Sequence, residues 1–410
     1  MLQRPVVKAV SARAVSRDVH LTTQDPPIER APSETTISRN FGLDVCRTTA
    51  ILLVVVGHTM QHSRPPPFVE ELRFVGTFGV DLFFALSGFL IGRILLSEAP
   101  RWQFASHVGT GVFTFWYRRW MRTLPLYYFW LLLSLEFDWR GETVLRSQAA
   151  YLLFAQNFAW QMPDFFLLSW SLAVEEWFYL SLPLVLMLFI GLGFRFGTAE
   201  KGAIAVFCIV PPVLRAVLLA RGIDLNGFEQ GARHVVVLRL DAIGFGVLMA
   251  YLYLRRRAWF DRMGQWWWTP ALALLGVLSW TKGGYVGALD SQVAASAYFS
   301  LSAITFAALI PAFLRIRPCR FAWVNRFITT TSATSYSLYL GHVAAFTAVM
   351  WLLRRQGWYE TVYNYPERLY PLFIAAAFAL AAVTYHLVER PLLQFRDRSS
   401  TGAFHPRTEG

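Results

Sequence analysis

Cysteine is scarce, with three in 410 residues and neither a CxxC pair nor an even-numbered set. That weighs against disulfides shaping the fold. Cys46 and Cys208 stand within apolar runs and Cys319 in a basic loop. Cys46 reads as a small core residue rather than a carrier of an acyl thioester. There is no HExxH motif; His58 and His62 are spaced i, i+4, but no third ligand is marked, so no metal is assigned. Residues 1–40 lack an apolar h-region, which excludes a secretory signal. They are polar, basic and Pro-containing, and read as a disordered cytoplasmic tail. No internal repeat and no matched pair of interrupted apolar segments is found, which weighs against an inverted-repeat transporter. Acids are outnumbered, 26 against 38 Lys and Arg, for a formal charge of +12. Because the basic residues fall between apolar blocks rather than on one polar domain, the excess reads as membrane orientation and no nucleic-acid partner is expected.

What is abundant is apolar: 55% of residues are hydrophobic, 16% aromatic, and the mean hydropathy is +0.39. Blocks of this length place the chain among all-α polytopic membrane proteins. About ten transmembrane helices in one bundle are expected, over 43–61, 74–96, 122–137, 168–192, 202–220, 235–254, 267–282, 294–315, 329–352 and 370–390. They are expected to make one domain over 41–396, followed by a short cytoplasmic tail over 397–410, with no appended soluble domain expected. With the N-terminus inside, 25 Lys and Arg fall on cytoplasmic loops and tails and 10 on the other side, while Arg47, Arg215 and Arg239 lie within spans. Both termini are therefore expected to be cytoplasmic. Arg255, Arg256 and Arg257, followed by Trp266, Trp267 and Trp268, read as an inner-leaflet anchor. The outer stretch 139–167, with Tyr151, Leu152, Leu153, Phe154, Phe158 and Trp160, is apolar enough to lie on or dip into the bilayer.

The first span carries the densest signal. His58 follows Arg47 by eleven positions, which leaves them about 20° apart on a helical wheel, and Asp44 falls within about 40° of His58. Ionisable groups inside a span are costly and mark sites facing the bundle interior. Asp81 in the second span and Glu175 and Glu176 in the fourth are expected at the level of His58, where a carboxylate would orient the imidazole and stabilise its protonated form. The competing role for these acids is interhelical glue. On the opposite side, Arg118, Arg119 and Arg122 open the third span at the level of Arg47, and arginine forks suit phosphate oxygens. His342 in the ninth span reads as a supporting, buried histidine, Arg239 and Asp241 as an intramembrane pair, and Glu389–Arg390–Pro391 as an interfacial helix stop.

Taken in order, LDVCRTTAILLVVVGH, GVDLFFALSGFLI, FWYRRWMRTLPLYY, SWSLAVEEWFYLSLPL, RLDAIGFGVLMAY, SYSLYLGH and VERPLLQF resemble the motifs of the acyltransferase 3 family over residues 41–396. The resemblance implies a ten-span enzyme of the bacterial inner membrane that moves an acyl group, commonly acetyl, from cytosolic acyl-CoA to a hydroxyl of a carbohydrate or lipid-linked glycan. Acyl-CoA is then a substrate, and no tightly bound cofactor is implied. The family's Arg-x10-His motif falls on Arg47 and His58 and its Arg-x-x-Arg motif on Arg119 and Arg122. Two positions depart from the pattern: Val45 stands at the usual glycine, and Trp177 at the usual glutamine. The expectation is that Arg47, Arg119 and Arg122 hold the nucleotide phosphates. His58 then takes the acceptor's proton with support from Glu175 or Glu176, an acyl-histidine intermediate being the less favoured variant. The competing reading is a multi-span transporter or flippase for an anionic or glycan substrate, in which the same charges line a path.

Overall fold

The computed structural model describes residues 40–61, 75–100, 108–136, 145–163, 165–223, 232–280, 292–363 and 365–402. The N-terminal basic tail, His62 and residues 403–410 lie outside them. The described chain is helical: α1 Phe41–Gln61, α2 Val75–Glu98, α3 Val108–Glu136, α4 Leu145–Leu152, α5 Ser169–Gly191, α6 Phe196–Ala220, a 3-10 turn Val236–Leu238, α7 Leu240–Arg255, α8 Arg257–Gln265, α9 Trp268–Trp280, α10 Gln292–Phe313, α11 Ala322–Ala333, α12 Ser335–Arg355, α13 Tyr359–Tyr363, α14 Pro366–Thr384 and α15 Arg390–Gly402, the last two joined by a π turn, Tyr385–Glu389. Among the described residues there is no strand.

Among the described residues, seven segments are long and apolar enough to cross a membrane by length and composition, namely Phe41–Met60, Gly76–Glu98, Ser169–Gly191, Phe196–Ala220, Ser296–Phe313, Ser335–Arg355 and Arg368–Arg398. The other three expected spans are helical too, but each differs from the expectation. At 16 residues α7 is about 24 Å long, short of a hydrocarbon core of about 30 Å. The described part of α9 has 13 residues. Helix α3 begins at Val108, so Arg118, Arg119 and Arg122 sit midway along a 29-residue helix and not at its mouth. The ninth span is divided at Thr334 into α11 and α12. The expected stop at Glu389–Arg390–Pro391 is instead the π turn, after which the chain continues as helix to Gly402. Pro391 has no N–H for the carbonyl one turn back, and a π turn shifts the ladder past that defect. Glu389 is buried there and accepts a hydrogen bond from Ser337 at 2.5 Å.

Helix α2 lies at the centre, packed most extensively on α7 and α1, and further on α10 and α5. Glycine makes the closest crossing possible. A side chain at Gly88 would fall 2.0 Å from the carbonyl oxygen of Ile243, and one at Gly246 2.2 Å from that of Ala85, so the α2 and α7 backbones touch. Helix α1 sits between this group and α11, α12 and α14. The end of α4 and the stretch after it bury Tyr151, Phe154, Met162 and Phe166 against the bundle. They also expose Leu153 and Trp160, as an interfacial segment does.

Substituting Gly88 by leucine is expected to separate α2 from α7 and abolish the monodisperse folded protein. Gel filtration and thermal melting in detergent check this, with Gly109→Leu, at a position with open space around it, as the tolerated control.

Candidate active site

Five helices surround one cavity of about 110 Å³. Helix α1 contributes Arg47; α2 contributes Val80, Phe83, Phe84 and Ser87; α3 contributes Arg119, Arg122 and Thr123; α5 contributes Ser171, Glu175 and Tyr179; and α12 contributes Ser335, Tyr336 and Tyr339. The three arginines singled out by spacing thus converge from two helices, while Arg118 is not part of this lining.

Backbone chemistry places these side chains. Pro183 lies inside α5 and has no N–H, which leaves the carbonyl of Tyr179 without its helical partner. The indole of Trp116 on α3 donates to that carbonyl at 3.1 Å, tying α3 to α5 beside the cavity. Thr123 donates to Oε1 of Glu176 at 2.6 Å, and Tyr336 on α12 donates to the Thr123 carbonyl at 2.8 Å. Tyr179 donates to Oε2 of Glu175 at 2.9 Å and is hydrogen-bonded to Ser87, and the guanidinium of Arg119 stands 6.0 Å from the Tyr179 ring centre. Arg47 is held from α11: it donates to the Ser332 hydroxyl at 3.0 Å, and Ser332 donates to Asp44 at 2.6 Å. Arg47 and Asp44 themselves are 3.7 Å apart. Asp44 therefore acts on Arg47 through one shared hydroxyl as well as directly. Trp177, in place of the family's glutamine, donates its indole N–H to the carbonyl of Phe154 at 2.9 Å, so at this position an indole satisfies the backbone.

The carboxylates expected around His58 are bonded elsewhere. Asp81 forms a buried ion pair with Arg239 and accepts from Ser302 at 2.6 Å. Asp241 pairs with Arg215 at 2.8 Å and accepts from Ser300 at 2.8 Å. The expected Arg239–Asp241 pair is thus replaced by two crossed pairs. Arg239 precedes α7 and Asp241 lies in its first turn, and each finds its counterion on a neighbouring helix, α2 and α6 respectively. Phe299 lies between the two, its ring centre 4.4 Å from the Arg239 guanidinium and 5.5 Å from that of Arg215. These charges join α2, α6, α7 and α10 as intramembrane glue.

His58 contacts His342. Their rings are 4.9 Å apart, with Nδ1 of His58 3.1 Å from Nε2 of His342. His342 is fully buried and was legible only as a supporting residue, because nothing in the sequence pairs positions 284 residues apart. Neither histidine is among the residues lining the arginine cavity, whose lining reaches Tyr339, one helical turn from His342. Phe83 meets Tyr339 edge-on at 6.3 Å, and Tyr339 and His342 lie 6.2 Å apart between ring centres. Tyr339 is therefore the lining residue that meets both Phe83 and His342.

Comparison with known proteins adds the family. The sequence profile described as an acyltransferase domain, acyltransferase 3, matches residues 40–386. The O-acetyltransferase OatA of Staphylococcus aureus (strain NCTC 8325) is 31% identical over 160 residues, which are 35% of this chain and 24% of that protein. A Bacillus subtilis (strain 168) protein named "Putative peptidoglycan O-acetyltransferase YrhL" is 30% identical over 210 residues, 46% of this chain and 30% of its own length. The chain thus spans about a quarter to a third of these relatives. No solved structure matches. An arginine cavity framed by five helices, the Arg47-to-His58 helix and a profile covering nearly all the described bundle lead to one conclusion: the chain belongs to the acyltransferase 3 family.

Proposed function

We propose that this chain is an integral-membrane O-acyltransferase. It takes an acyl group, acetyl in the simplest case, from acyl-CoA and delivers it to a hydroxyl of a carbohydrate or glycan-bearing lipid, with His58 as general base. The observation that carries this reading is the convergence of Arg47, Arg119 and Arg122 on one cavity, with an imidazole further along the helix that supplies Arg47. Three guanidinium groups suit the phosphates of a nucleotide thioester. Eleven residues of helix carry the chain about 16 Å onward to His58, a span the pantetheine arm is suited to cover. The acyl end passes Phe83 and Tyr339, whose side chains turn aside to admit it. The acceptor hydroxyl gives its proton to His58 as its oxygen attacks the thioester carbonyl. The tetrahedral intermediate then collapses, the carbon–sulfur bond breaks, and the departing thiolate takes the proton from the imidazole. Glu175 and Glu176 support the site from its cavity side, holding Tyr179 and Thr123. The named O-acetyltransferase relatives support the choice of oxygen as acceptor atom and acetyl as the group.

In the proposed arrangement the arginine cavity faces the cytoplasm and the acceptor arrives from the outer face of a bacterial inner membrane, in keeping with the 25-to-10 distribution of basic residues. Cys319 tests the orientation, since it is exposed while Cys46 is buried and Cys208 half-buried. A membrane-impermeant maleimide is expected to label Cys319 in inverted vesicles and not in intact cells, with Cys319→Ser as the blank; the reverse pattern refutes the orientation.

For the chemistry, membranes carrying the protein are incubated with labelled acetyl-CoA, and transfer into cellular glycans is measured. His58→Ala is expected to abolish transfer while the protein remains in the membrane. Arg119→Ala and Arg122→Ala are each expected to raise KM for acetyl-CoA roughly tenfold to a hundredfold, since a hydrogen bond to a charged group is worth about 1.5–3 kcal/mol. Movement of an unmodified glycan without consumption of acetyl-CoA refutes the enzyme reading.

A further inference from the structure

The proposed reaction needs a group that holds the imidazole of His58 in one orientation and spreads the charge it acquires. A carboxylate is the usual device, but none of the three acids expected at the level of His58 serves. Asp81 is taken by Arg239 and Ser302, Glu175 by Tyr179, and Glu176 by Thr123. We infer that His342 does this work, as a positioning residue acting through the Nδ1–Nε2 contact with His58.

The hydrogen-bond chain runs in one direction. Nδ1 of His342 lies 3.1 Å from the carbonyl oxygen of Leu338 and 2.7 Å from that of Tyr339. Carbonyls only accept, so this nitrogen carries the hydrogen, and in a neutral imidazole Nε2 is then the acceptor. Nδ1 of His58 faces that acceptor at 3.1 Å and the Val54 carbonyl at 3.0 Å. A lone pair on Nδ1 would be set against the Val54 oxygen; a hydrogen there satisfies both neighbours. The lone pair of His58 is thereby assigned to Nε2, the nitrogen that acts as base. When Nε2 takes the acceptor's proton, the positive charge is shared through Nδ1–H into His342 and on to the two backbone carbonyls of α12. Tyr339 and Phe346 pack on the His342 ring, at 6.2 and 5.6 Å between centres, and fix its plane. Tyr339 has two parts in this: its carbonyl anchors His342, and its ring meets Phe83 at the end of the arginine cavity.

This inference rests on the acyl-transfer reading, and two measurements separate their failures. The first follows kinetics of the full-length protein in nanodiscs with acetyl-CoA as donor and chitopentaose as carbohydrate acceptor. His342→Phe keeps the packing and removes the acceptor nitrogen. It is expected to lower kcat about a hundredfold, at the lower end of what a general base contributes, with KM for acetyl-CoA within twofold of wild type. His342→Gln restores an oxygen that can accept from Nδ1 and is expected to recover at least tenfold of that loss. A role confined to packing would not separate the two variants. The second measurement needs no turnover: solid-state NMR of histidine-labelled protein is expected to show a 15N–15N contact between His58 Nδ1 and His342 Nε2, lost in His342→Gln. The inference is overturned if His342→Phe stays within threefold of wild-type kcat, if His342→Gln is as impaired as His342→Phe, or if the nitrogen contact is missing. Absence of acetyl transfer by the wild-type protein overturns it together with the acyl-transfer reading; undiminished transfer by His58→Ala, or a missing nitrogen contact with normal transfer, overturns it while acyl transfer stands.

Discussion

A charge inside an apolar bundle has to be met by an opposite charge or by enough hydrogen bonds, and that requirement organises this molecule. Moving an ion out of water costs several kcal/mol even after relaxation. Arg239 therefore reaches across to Asp81 on the central helix, and Arg215 to Asp241, with Ser302 and Ser300 each donating a further hydrogen bond to the carboxylate. Arg255 and Glu200 make a third pair at 2.7 Å, between α7 and α6. Once these pairs are set aside, the ionisable groups left around the cavity are Arg47, Arg119, Arg122 and Glu175, beside Glu176 behind Thr123. The division runs between charges paired across helices and charges that line the cavity, the latter with partners of their own, such as Ser332 and Asp44 for Arg47 and Tyr179 for Glu175. It is the physical basis for reading the second group as a site.

That division explains what the sequence made legible. Periodicity depends on neighbours along one helix, so the common face of Asp44, Arg47 and His58 could be computed from spacing, and the structure keeps all three on α1. The ordered motifs likewise picked out Arg119 and Arg122, which line the cavity with Arg47. Partners on different helices carry no such signal. The crossed ion pairs and the meeting of His58 with His342 connect positions 158, 26 and 284 residues apart, and no local rule links them. Depth arithmetic put three carboxylates level with His58. Depth alone does not fix azimuth, and each acid turns toward another partner. The span expected over 122–137 begins inside α3 for a similar reason: Arg118 and Arg119 lower the hydropathy of the half before Arg122, although that half is helical too.

Proline and tryptophan show how polar backbone atoms are satisfied where water is scarce. Pro183 exposes the Tyr179 carbonyl and Trp116 covers it, while Trp177 covers the carbonyl of Phe154, a residue at φ 55° in the left-handed region. A wide indole donor reaches across the gap between elements where a shorter amide would need them closer. The departure from the family's glutamine at position 177 is thus matched to the way the stretch after α4 is folded onto the bundle.

Helix α1 is pinned at two points, near its start through Ser332 of α11 and near its end through His342 of α12. A rod fixed at both ends works as a gauge. In the reaction proposed, the separation between the grip on the donor's phosphates and the imidazole is set by backbone rise, which side-chain motion cannot alter. Donors would then be sorted by the length of the arm joining phosphate to thioester, before the identity of the acyl group is sensed at all.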